Sequence, residues 1–205
     1  MPKTTFAEEI YLRALTGKVV GQHILSEYNK IAVISTRNII CSALSAAAES
    51  VFSADSGGKG KHFVVNESNV NEVIQSVEKF SPEAILLMFG GETPIEETKK
   101  LFTETLKQLA KTNREYDIIV HVRIFAAGGL KEAIEDQQIL TYLQNNRVTV
   151  YTFNFEKGEL IYNEIYLASK ETIQLEQIAE IPLTVEHTDL LNRSLRNKKV
   201  NWIDA

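Results

Sequence analysis

In the stretch KIAVISTRNIICSALSAAAESVF, residues 30–52, an apolar strand meets a helix of small residues across four polar positions. Ile31 to Ile34 are apolar throughout, as a strand covered on both faces requires. Ser35, Thr36, Arg37 and Asn38 supply hydroxyls, a guanidinium and good N-cap residues. The small residues of the following helix predict close packing on the sheet. A strand joined this tightly to a helix is a β-α unit of a parallel sheet. The carboxyl end of such a strand is where these sheets hold ligands.

The pattern repeats along the chain. His62–Val65 reads as a short strand, 69–80 as a helix with Val70, Val73, Ile74 and Val77 at helical spacing, and 84–89 (AILLMF) as a central strand. Gly90 and Gly91 end that strand. Thr93 as N-cap, Pro94 as first helical residue and Glu96 as capping-box acid predict a helix over 94–112, with Glu96 and Lys100 paired on its outer side. Residues 117–125 (DIIVHVRIF) alternate as a strand, with His121, Arg123 and Phe125 on one face, and a helix over 130–145 follows.

Strands 147–155 and 160–167 are joined by a turn too short for a crossover, so they form an antiparallel hairpin. Its aromatics, Tyr151, Phe153, Phe155, Tyr162 and Tyr166, suit either core packing or a self-association patch. The predicted architecture is α/β and three-layered, Rossmann-like or flavodoxin-like. Its sheet is mostly parallel, with five to six strands and an antiparallel C-terminal edge hairpin.

The 205 residues accommodate one such domain, over 30–168, with extensions on both sides. Residues 1–29 read as a helical extension. Gly17 and Gly21 weaken its centre, consistent with two short helices. Residues 169–205 read as a second extension, extended or helical as far as Pro182 and with a short helix near 188–198. Trp202 is placed to anchor the tail.

No run approaches the ~20 apolar residues of a membrane span, and the start lacks the apolar core of a secretory signal. A soluble, cytoplasmic protein is expected. The net charge of −5 argues against a dedicated nucleic-acid binder, although Arg193, Arg196, Lys198 and Lys199 cluster near the end. Cys41 is the single cysteine, which excludes an internal disulfide, and no histidine pair has metal-ligand spacing.

Three strand-to-helix turns carry the expected site. They hold Ser35, Thr36, Arg37 and Asn38; Gly90, Gly91 and Thr93; and Gly128 and Gly129. Aligned at one sheet edge, they would form a crevice for a small anionic ligand such as a nucleotide, with Arg37 as anion clamp. None spells G-x-G-x-x-G, and the loop SADSGGKGK over 53–61 fails the P-loop spacing; it reads as an exposed loop or a flap. Glu92 and His121 are the candidates for acid–base chemistry, but no activated nucleophile or second acid accompanies them. No cofactor is assignable.

Three functions stay open: a ligand-binding or regulatory module that self-associates or meets a protein partner, an enzyme acting on a phosphorylated or carboxylated small molecule, and an assembly scaffold.

Overall fold

The computed structural model describes residues 4–170 and 172–194. Among them seven strands form one sheet in the order β2-β1-β3-β4-β5-β6-β7. The strands are β1 (Lys30–Thr36), β2 (Lys59–Val65), β3 (Ala84–Met88), β4 (Asp117–Val120), β5 (Val148–Asn154), β6 (Glu159–Leu167) and β7 (Ile173–Pro182). The first five are parallel and the last two add antiparallel pairs. The seventh strand comes from the segment that the sequence leaves ambiguous.

The interior strands are apolar because both faces are covered. Ile85 and Leu87 of β3 face a core built by α3 (Val70–Phe80), α4 (Ile95–Lys111), α6 (Gly129–Ala133) and α7 (Gln137–Gln144). Leu86 and Met88 face the opposite core, under α1 (Phe6–His23) and α2 (Ile39–Ser56). β1 splits in the same way, with Ala32 and Ile34 on one side and Ile31 and Val33 on the other. Tyr151 and Tyr162 complete the α1–α2 face, whereas Tyr166 is exposed.

Several boundaries differ from expectation, each for a physical reason. The first helix is continuous. Its glycines are contact points: a Cβ on Gly17 would lie 2.3 Å from the Leu44 carbonyl oxygen, and one on Gly21 2.6 Å from that of Ala48. They let α1 and α2 cross backbone to backbone. Residues 53–61 are no loop, since α2 runs to Ser56, Gly57 caps it in the left-handed region (φ 68°), and Lys59 already belongs to β2.

β4 ends at Val120, and α5 (Val122–Ala126) takes the place of a longer strand. Its neighbours pair only as far as Leu87 and Val150. A strand to residue 125 would have run past the end of β3 at Met88 and left the backbone groups on that edge unpaired. α4 begins one residue late, because Pro94 is extended (ψ 139°) and is itself the N-cap, without a side-chain cap bond. Lys99, not Lys100, meets Glu96, at 3.3 Å, and it also meets Glu132 at 2.6 Å. The helix over 130–145 is divided at Asp136, which caps α7 by accepting from the Gln138 N–H at 2.9 Å.

The described residues outside 30–168 are built into the same body. Leu12 of α1 packs with Leu190 and Leu191 of α8 (Val185–Ser194), and Arg193 binds Glu8 at 2.7 Å. Arg196, Lys198, Lys199 and Trp202 lie outside the described residues. Among the described residues no helix is long and apolar enough to cross a membrane.

Candidate functional site

The strand order reverses between β1 and β3: the chain steps from β1 outward to β2, then returns to β3 on the other side. In an open parallel sheet the connections diverge at such a point and leave a crevice at the carboxyl ends of the two strands. The turns after β1 and β3 flank it.

Asn38 knits these two turns together. Its Oδ1 accepts from the Cys41 N–H at 2.7 Å and caps α2, while its Nδ2 donates to Thr36 Oγ1 at 2.8 Å and to the Gly90 carbonyl at 3.4 Å. The fit requires glycine at position 91, whose φ is 75° and where a Cβ would lie 2.2 Å from Asn38 Oδ1. Ser35 is wholly buried, with Oγ 2.6 Å from Nε2 of half-buried His62 on β2. Desolvation holds that imidazole below its ordinary pKa. Arg37 stands exposed at the rim, beside an open depression of about 550 Å³ lined also by Asn38, Ile39, Ser42 and Ala43.

The other wall comes from the end of β4. Nδ1 of His121 lies 3.1 Å from the Phe89 carbonyl oxygen, and its ring meets that of Tyr151 edge to face at 5.7 Å. Nη1 of Arg123 donates to the Gly91 carbonyl, while its Nε is buried without a partner. A Cβ on Gly90 would press within 3.0 Å of the Arg123 Cδ. From above, Arg13 of α1 pairs with Glu9 at 3.2 Å. Burial first, then the Arg13 charge, lowers the pKa of Arg123, and the same charge opposes protonation of His121. Burial first, then Arg13, brings His121 down to about 3, so its imidazole is neutral at pH 7.

The structure therefore brings Ser35, Thr36, Arg37, Asn38, Gly90, Gly91 and His121 to one end of the sheet, with half-buried Thr93 and exposed Glu92 in the loop after β3. Gly128 and Gly129 are not at a strand end, because α5 stands between them and β4. There Gly129 packs on Ile124, and nothing lies within 4 Å of a Cβ on Gly128. Sequence reasoning placed Arg123 on a strand face and passed over Arg13. The only local signal for Arg13 was its i,i+4 spacing to Glu9. No group of three or more metal-ligating side chains occurs among the described residues.

A family model described as "Uncharacterized protein" matches residues 9–190. An uncharacterized protein of Aquifex aeolicus (strain VF5) is 33% identical over 72 residues, which cover 35% of this chain and 34% of that one. The chain thus spans about a third of the length of the curated relative it matches. Among solved structures, a Rhodospirillum rubrum protein assigned to the branched-chain amino acid ABC transporters aligns with TM-score 0.48 and 16% identity, over 68% of this chain and 37% of its own. Full-length LpoA of Haemophilus influenzae aligns with TM-score 0.45 and 11% identity, over 74% of this chain and 25% of its own.

Proposed function

The chain belongs to this family over residues 9–190, and we propose that it is a binding or regulatory module holding a small anionic ligand at the crevice between β1 and β3. Arg123 carries the reading. Its guanidinium is half-buried, makes no ion pair among the described residues, and has an Nε sealed from water without an acceptor. A half-buried guanidinium without a carboxylate is an uncompensated charge, which an anionic oxygen bound to its outer N–H groups would offset. Arg13 adds a second guanidinium, and Glu9 is the one carboxylate whose charge registers at Arg123. Arg37 at the rim adds a third cation that a phosphate or carboxylate can engage.

The test is thermal unfolding against nucleotides, sugar phosphates, citrate and inorganic phosphate. A ligand at 100 times its Kd stabilises by about 2.7 kcal/mol, which raises the Tm by roughly 5–10 °C for a chain of this size. Arg123→Met is expected to abolish the shift and Arg37→Ala to weaken it. If no anion moves the Tm of the unsubstituted protein, the reading fails.

A further inference from the structure

His121 adds a demand that an anion by itself does not meet. The residue is only 7% exposed. Nδ1 faces a backbone carbonyl oxygen, which can only accept, so the ring proton resides on Nδ1. Tyr151, packed edge-on against the imidazole, resists a ring flip, and its own hydroxyl is engaged with Met88 Sδ at 3.7 Å. Nε2 is left as a lone pair. It bonds no described residue, and, unlike Arg123 Nε, it is not among the buried side-chain atoms that lack a partner, so it keeps some contact with solvent.

A carboxylate or fully ionised phosphate set against Nε2 would oppose one lone pair to another. An ammonium would satisfy Nε2 but would meet the repulsion of Arg13 and Arg123. A hydroxyl donates without charge and meets neither objection.

Resting on the ligand site proposed above, we propose that the ligand presents an O–H donor beside its anionic group, the anion on Arg123 and Arg13 and the hydroxyl donating to Nε2 of His121. The O–H can belong to a carbon next to the acid, as in a sugar phosphate or 2-hydroxy acid, or to a singly protonated phosphate. A buried acceptor of this kind discriminates strongly, because an analogue without the hydroxyl leaves it unpaired.

Matched pairs test this by calorimetry: glycerol 3-phosphate against propyl phosphate, lactate against propionate, and inorganic phosphate against sulfate. The hydroxylated member of the pair that binds is expected to bind at least about tenfold more tightly, as one good hydrogen bond to a buried group allows. The first two pairs report a carbon hydroxyl, the third a P–OH. In His121→Phe the preference should fall to within about twofold while the plain anion keeps its affinity; His121→Gln, which restores an acceptor, should recover part of it.

Should the phenylalanine variant fail to fold, the ¹⁵N resonance of His121 Nε2 in the unsubstituted protein replaces it. That resonance should shift with the hydroxylated ligand and stay still with its partner. Equal affinities within every pair, or an unmoved Nε2 resonance, would overturn the inference and leave anion binding intact. Absence of binding by all six probes overturns this inference, whereas the ligand-site proposal falls only if the nucleotides and citrate of the thermal screen also leave the Tm unmoved.

Discussion

Single buried side chains contribute to the acid response of this protein. His187 lies 3.0 Å from Thr16 Oγ1, and the Thr16 hydroxyl already donates to the Leu12 carbonyl, so the imidazole is the donor in their bond. Burial, then the charge of Arg13, lowers its pKa to about 4, and the ring of Phe153 stands 6.5 Å away. Unfolded, the same histidine titrates near 6.5. Between about pH 6.5 and 4 the unfolded chain binds the extra proton, so stability is complete above pH 6.5 and is lost as the pH falls. The expected slope is up to about 1.4 kcal/mol per pH unit from this group, and His121 adds to it below pH 6.5 in the same sense. His187→Gln should flatten the fall in Tm between pH 6.5 and 4. An unchanged pH profile would place the acid sensitivity elsewhere.

Elements meet here through residues chosen for absence of bulk. Gly17→Ala sets two effects against each other. Alanine favours an isolated helix by up to about 1 kcal/mol, but the added methyl meets the Leu44 carbonyl at 2.3 Å and Ala47 Cβ at 2.9 Å. Backbone cannot yield as a side chain can, so a net loss of about 1–3 kcal/mol is expected in urea unfolding. Gly57→Ala is the control. Nothing lies within 4 Å of its Cβ, and only the left-handed φ of 68° is strained, for a loss of about 1 kcal/mol. If Gly17→Ala proves the milder of the two, the α1–α2 crossing is looser than described.

At the scale of the molecule, the ends are expected to contribute to one cooperative unit. β7 pairs with β6 from Ile173 to Pro182, and Leu190 and Leu191 of α8 close over Leu12. Burial of each leucine is worth roughly 1.5–3 kcal/mol, against a total stability of about 5–15 kcal/mol for a domain. Deleting residues 169–205 should therefore abolish the cooperative thermal transition or lower its midpoint by more than about 10 °C. A truncated protein with unchanged circular-dichroism melting would mean that the segment is an appendage.

The α/β class and the order of elements from β1 through α4 were legible because their signals are local, although the end of α2, the start of β2 and the N-cap of α4 were not. An apolar run, an N-cap such as Asn38 and a glycine at a turn each act within a few residues. The alternation of 117–125 was legible too, but it did not say where the strand stops. That was set by where β3 ends beside it, which no local pattern encodes. The same holds for β7, whose polar, bulged strand takes its hydrogen bonds from β6, and for Arg13, whose charge is felt at His121 and Arg123 across the packed elements. Sequence alone determined the fold class, most of the elements before β4 and the sheet edge at which a ligand would be sought. The tertiary structure decided which charges face one another there, because such contacts join residues far apart in the chain and exist only once the helices have packed.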